Sequence, residues 1–213
     1  MRELPSKIVC VGRNYVEHIA ELNNVAPSRP LLFIKPSTAL ATLPEVTIPR
    51  AQGECHHEVE IAVQIGTQLR RCTPTEASKA IQAYGLGLDL TLRQVQSELK
   101  AAGHPWERAK AFDGSCVLSD WIPATELDAE QPLEFSLTVN GVQRQAGRSA
   151  EMIYTIPDLI ADISQQFTLL PGDVVLTGTP AGVAALAPND QLELRLQQGD
   201  KHWSWTGTVH CDG

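Results

Sequence analysis

Three acids, Glu58, Glu60 and Asp89, stand in or beside apolar, strand-like sequence, where an uncompensated charge is costly. The first two open the run GECHHEVEIAVQIG, residues 53–66. Successive side chains of a strand point to opposite faces, so His56, Glu58 and Glu60 share one face and Val59, Ile61 and Val63 the other. Two carboxylates on one strand face lie about 7 Å apart and repel each other. Oxygen donors of this kind suit a hard divalent cation such as Mg²⁺, with water or substrate completing its shell. The same pattern suits acids at solvated strand ends, each paired with a Lys or Arg, and the spacing leaves both readings open. Cys55, His56 and His57 invite a zinc reading. Neighbouring strand residues point opposite ways, however, and no second Cys/His pair follows at a usual spacing.

His18 and Glu21 are spaced i, i+3, which on a helix makes them neighbours and lets the carboxylate orient the imidazole as a general base. An incidental pair on a solvated helix has the same spacing. Lys110, in ERAKAFDGSC, suits stabilisation of a developing anion, or simply a solvated loop. Cys116, beside Val117 and Leu118, reads as a small core residue rather than a nucleophile. LPGDVVLTGTPAGV, residues 170–183, is a turn feeding a strand that ends in a Thr/Gly/Pro loop able to offer N–H groups to an anion. It lacks the Gly-Lys-Ser/Thr of a nucleotide loop.

The elements that must position these residues are mostly strands. Apolar runs predict strands over Lys7–Val11, Leu31–Ile34, residues 85–90, 173–177, 191–196 and 202–209. Asn140-Gly141 predicts a hairpin between 135–139 and 142–145. Helices are expected from Asn14, with Glu17 completing a capping-box-like start, over 73–84 with Thr73 as cap and Pro74 first, over 92–101, and over 156–167. Pro44 and Pro49 bracket a turn-rich connector. Regular strand–helix alternation is missing, which predicts a mixed α+β fold around a large curved sheet or barrel, with no linker dividing it.

The 213 residues are 43% hydrophobic and 20% charged, ordinary for a globular chain. A net charge of −8 argues against nucleic acid as the main partner. No apolar run approaches the roughly 20 residues of a membrane-spanning helix. Five scattered cysteines without a CxxC, and a start without a signal-peptide pattern, point to a reducing cytoplasm.

The segments CVGRNYVEHIAEL, FIKPST, HHEVEIAVQIG, LDLTLRQVQ, PWERAKAFDGSC and PGDVVLTGTPAGV run in that order from Cys10 to Val183. Together they resemble the fumarylacetoacetate hydrolase family, above all its small single-domain acylpyruvate hydrolases and oxaloacetate decarboxylases. The resemblance implies one catalytic domain over 1–213, a β-rich mixed sheet rolled around the site, a mobile lid helix around 14–25 and a homodimer. It implies a Mg²⁺ or Mn²⁺ site, open also to Ca²⁺, on Glu58, Glu60 and Asp89. His18, Glu21 and Lys110 would be catalytic, and Arg13, Arg93, Gln96 and Thr179 would contact a small anionic 2-oxo acid. The implied reaction is hydrolysis of an acylpyruvate to pyruvate and a carboxylic acid. The alternatives are oxaloacetate decarboxylation or tautomerisation, or isomerisation of a 2-hydroxyhepta-2,4-diene-1,7-dioate type of substrate. Leu92 and Gln94 depart from the family pattern, at positions without a metal or base role.

Overall fold

The computed structural model describes residues 4–16 and 28–212. His18, Glu21 and most of the expected lid helix lie outside them. An eight-stranded mixed sheet forms the centre. Its order is Leu31–Lys35, Ile8–Gly12, Val174–Leu176, Val59–Ile65, Ile81–Asp89, Cys116–Leu118 and Leu40–Thr42, with Ile122–Pro123 added to the side of Ile81–Asp89. Ile8–Gly12 runs parallel to Val174–Leu176, and Leu40–Thr42 parallel to Cys116–Leu118; the other pairs are antiparallel. A second sheet of five strands includes the predicted hairpin, Glu134–Val139 with Val142–Arg148. Asn140 and Gly141 have φ of +52° and +77°, as a type I′ turn demands. A small third sheet joins Cys55–His57 to Thr91–Leu92 and Ala184–Ala185. The β-dominated, curled architecture expected from the sequence is present.

Alternation along the central strands sorts side chains into two apolar clusters. Val9, Val11, Ile61, Val63, Leu86, Leu88, Val117 and Val175 belong to the larger one. Ile8, Cys10, Ala62, Cys116, Leu118, Val174 and Leu176 form the smaller one. Cys116 is fully buried and burial pushes its thiol up to about 12, so it is an inert core residue.

Two expectations about elements are corrected. The helix predicted over 73–84 is only Pro74–Lys79, with the Thr73–Glu76 capping box formed, and Ile81 already begins a nine-residue strand. Ile81, Ala83 and Tyr84 pair with Ile65, Gln64 and Val63 on one side, and Ala83 and Tyr84 with Pro123 and Ile122 on the other, so sheet pairing outweighs local helix preference. Between Pro44 and Pro49 the chain is the strand Glu45–Ile48, paired parallel with Lys201–Cys211, rather than a turn-rich connector. No helix of the described residues is long and apolar enough to cross a membrane.

Candidate metal centre and active site

The expected single strand through HHEVEIAVQIG is broken at Glu58 into Cys55–His57 and Val59–Ile65, which belong to different sheets. The Asp89 N–H still donates to the Glu58 carbonyl at 2.9 Å, so the two acids stand side by side across the break. Glu60 pairs with Gly87, two residues before Asp89, and therefore shares the face of Asp89. One carboxylate oxygen from each of Glu58, Glu60 and Asp89 lies within 4.8 Å of the others, and all three residues are buried. Val59, Ile61 and Val63 are fully buried on the opposite face, as the alternation required.

Two buried lysines compensate these acids. Lys110 closes the short helix Glu107–Lys110 and is only 3% exposed, not the solvated loop residue the sequence allowed. Its Nζ donates to Glu58 Oε2 at 2.7 Å and to Asp89 Oδ2 at 2.6 Å. It also lies 5.1 Å from the centre of the Phe33 ring. Burial alone would push the Lys110 ammonium down, but the Asp89 and Glu58 carboxylates outweigh it and hold its proton affinity above the ordinary range. Lys35, fully buried, donates to the Lys110 carbonyl and, at 3.0 Å each, to the carbonyl and hydroxyl of Ser115. Its Nζ is 2.8 Å from Asp89 Oδ1.

Glu60 has no cation of its own among the described residues. Its Oε2 accepts the Gly178 N–H at 2.7 Å, so the loop the sequence marked as an anion acceptor receives a carboxylate of the chain itself. Gly178 is at φ +100°, and a Cβ there would lie 2.7 Å from Asn14 Cβ, so only glycine brings this N–H so close. Burial, then the charges of Asp89 and Glu58, push the Glu60 carboxyl well up. Asp89 Oδ1, although near Lys35, is buried without a hydrogen bond. An all-oxygen donor set of three buried carboxylates, in which Glu60 has no ion-pair partner among the described residues, fits Mg²⁺ or Mn²⁺ and does not suit zinc.

The substrate-contact candidates converge on the same cavity. Arg13, Arg93, Gln96, Lys100, Lys110 and Thr179 line it with the three acids. Arg93 starts the helix Arg93–Ala102, donates to Glu58 Oε1, and donates to Gln96 Oε1 at 2.6 Å. Arg13 takes a left-handed φ of +61°, a strained choice for a residue with a side chain. The helix that Asn14 was expected to cap lies mostly outside the described residues, but the place of Asn14 itself is defined. It is fully buried, donating to the carbonyls of Thr177 and Tyr154 at 2.9 and 3.1 Å and accepting the Tyr154 N–H at 2.9 Å. His56 is no ligand of the triad; its ring meets Glu54 and Arg93.

The sequence reading passed over Gln145, which is 1% exposed in the hairpin strand Val142–Arg148. Its Oε1 accepts the Val59 N–H and meets His57 Nδ1, both at 2.9 Å. Its Nε2 donates to Thr179 Oγ1 at 2.8 Å and to the Pro180 carbonyl at 2.9 Å. Thr179 Oγ1 in turn donates to the Val59 carbonyl at 2.8 Å. Val59 N–H needs an oxygen and the Pro180 carbonyl needs an N–H, which fixes the amide orientation and puts the His57 proton on Nδ1. One side chain thus ties the strand between Glu58 and Glu60 to the loop carrying Gly178 and Thr179. Lys35 had a signal, a charge closing an apolar strand, of the kind that marked Glu58; Gln145 had none.

The fumarylacetoacetate (FAA) hydrolase C-terminal family model matches residues 7–209, and the chain belongs to the fumarylacetoacetate hydrolase family. Among its relatives, it is 55% identical over 189 residues to the oxaloacetate tautomerase YcgM of Escherichia coli (strain K12), covering 88% of this chain and 86% of that one. It is 43% identical over 194 residues to the mitochondrial oxaloacetate tautomerase FAHD1 of Bos taurus, covering 90% and 87%. Among solved structures, fumarylpyruvate hydrolase from Pseudomonas aeruginosa in complex with Mn²⁺ and pyruvate superposes with a TM-score of 0.91 at 28% identity, covering 100% of this chain and 98% of that one.

Proposed function

We propose that this protein is a divalent-metal-dependent enzyme acting on small enolisable 2-oxo acids, and that its principal reaction is keto–enol tautomerisation of oxaloacetate. The observation that carries the reading is the buried Glu58–Glu60–Asp89 oxygen cluster opening on a cavity lined by Arg13, Arg93, Lys100 and Lys110. Such a site binds a metal and an anionic oxo acid together. The two oxaloacetate tautomerases above support the choice of substrate.

Glu58, Glu60 and Asp89 would hold Mg²⁺ or Mn²⁺, which when bound supplies fixed positive charge against the negative charge that develops on an enolising 2-oxo acid. His18, oriented by Glu21, would take the C3 proton; the C–H electron pair becomes the C2–C3 π bond as the C2=O π pair moves onto the 2-oxygen, and the proton is then delivered to that oxygen. Lys110 has two of its three N–H bonds committed to Glu58 and Asp89, leaving one to steady that oxygen. Arg93, Gln96, Arg13 and Thr179 hold the acid in place.

Hydrolysis of acylpyruvates, the reaction first expected from the resemblance, is the second reading. It is supported by the fumarylpyruvate hydrolase structure, which binds Mn²⁺ and pyruvate. The test is to assay purified protein with Mg²⁺ against oxaloacetate, acetylpyruvate and fumarylpyruvate, subtracting rates with metal alone. Enol loss from oxaloacetate should have the highest kcat/KM. A higher kcat/KM for release of pyruvate from either acylpyruvate would replace the first reading with the second.

A further inference from the structure

The helix Arg93–Ala102 places three polar side chains in one stripe along the cavity, at positions 93, 96 and 100. Arg93 is bonded to Glu58, at the metal end. Gln96 comes next, and Lys100 follows one turn further, about 6 Å along the axis. Beyond Lys100 the helix stops at Gly103, with φ of +67°. There the Gly103 N–H donates to the Lys100 carbonyl at 3.2 Å and the His104 N–H to the Leu99 carbonyl at 2.9 Å. This reversal brings Trp106 back under Lys100, whose Nζ stands 5.0 Å from the ring centroid. Trp106 packs in turn on Phe33, at 6.0 Å between centroids. The two aromatic rings therefore carry one lysine each, Lys110 over Phe33 and Lys100 over Trp106.

The two lysines differ in their partners. Lys110 has two carboxylates in direct contact, whereas the Lys100 ammonium rests on the Trp106 face and, among the described residues, feels the Glu58 carboxylate only at longer range. Lys100 is half-buried beside other cations, an arrangement that is unfavourable until an anion arrives. From this we infer that Lys100, seated on Trp106, is the specificity-determining residue that receives a second carboxylate, at the end of the substrate remote from the metal. The inference rests on the oxaloacetate reading above and adds to it the residue that would distinguish a dicarboxylate from neutral-tailed acylpyruvates. Burial, followed by the Arg93 and Arg13 charges, lowers the Lys100 ammonium to about 8, as expected of a cation awaiting its counter-charge.

The test compares oxaloacetate with 2-oxosuccinamate, which replaces the remote carboxylate by a carboxamide of the same shape. In Lys100→Met, kcat/KM for oxaloacetate relative to 2-oxosuccinamate should fall on the order of ten- to a hundredfold, with the loss in KM, as for a hydrogen bond to a charged group. Lys100→Arg should keep the ratio within a few-fold. A turnover-free arm measures binding of 3,3-difluorooxaloacetate, which has no C3 proton to lose, to metal-loaded protein; Lys100→Met should weaken it by the same factor. A ratio unchanged within twofold in Lys100→Met, or equal losses for both substrates, overturns the assignment. If wild type turns over neither substrate, the tautomerase reading fails instead, and the binding arm alone decides on Lys100.

Discussion

Replacing Gln145 by Leu keeps nearly the same volume but removes every polar atom of the side chain that braces the site. Four hydrogen bonds go: two accepted, from Val59 N–H and His57 Nδ1, and two donated, to Thr179 Oγ1 and the Pro180 carbonyl. Thr179 keeps its bond to the Val59 carbonyl, so three buried groups are left unmatched: Val59 N–H, His57 Nδ1–H and the Pro180 carbonyl. At about 1–3 kcal/mol for each unsatisfied buried group, and taking the low end because the loop can relax, the loss is about 3 kcal/mol. That is a large part of the roughly 5–15 kcal/mol available to a folded domain. Urea unfolding of wild type and Gln145→Leu should show it as a midpoint lower by about 1 M. Because Val59 sits between Glu58 and Glu60, Mn²⁺ affinity should fall in parallel. A stability loss under about 1 kcal/mol with unchanged Mn²⁺ affinity would refute the view that Gln145 holds the two walls of the site together.

Three further outcomes are expected. His18→Ala should lose tautomerase turnover by at least about a hundredfold while leaving Mn²⁺ affinity nearly intact, measured by turnover assay and calorimetry; parallel loss of metal binding would place His18 in the wrong role. Lys110→Met frees Glu58 Oε2 and Asp89 Oδ2 from their shared ammonium, so Mn²⁺ should bind more tightly while kcat falls; weaker binding would mean that Lys110 shapes the site rather than competing with the metal. The pH profile of kcat/KM for oxaloacetate should fall as pH rises through about 8, since the Lys100 ammonium, flanked by Arg93, Arg13, Glu58 and Lys110, loses its proton there. The limb should be missing in Lys100→Met, and its persistence would assign it to another group.

The triad was legible because a carboxylate inside an apolar strand is expensive wherever it occurs, and period-two alternation gives its face. What it faced depends on pairing. Glu60 meets the Asp89 side only through the register with residues 81–89, and Glu58 stands beside Asp89 through the Asp89 N–H to Glu58 carbonyl bond, at a point where the strand is interrupted. Alternation cannot announce a break. The missed strand at Ile81–Tyr84 has the same cause: its neighbours on both sides, not its own residues, make it β. Lys100 and Trp106 are six residues apart and meet only because Gly103 reverses the chain, while Gln145 reaches the site from another sheet. His18 and Glu21 rest on spacing and family resemblance, since they fall outside the described residues.

The central claim is that Glu58, Glu60 and Asp89 bind a divalent cation that oxaloacetate tautomerisation requires. Exchange of the oxaloacetate C3 protons in D₂O, followed by NMR, reads that step directly. Metal-loaded wild type should exchange them far faster than metal alone. Both chelator-treated wild type and Glu60→Gln should drop to the background rate, and calorimetry should show Glu60→Gln with weakened Mn²⁺ binding. Full exchange activity in Glu60→Gln, or in chelated wild type, would contradict the account.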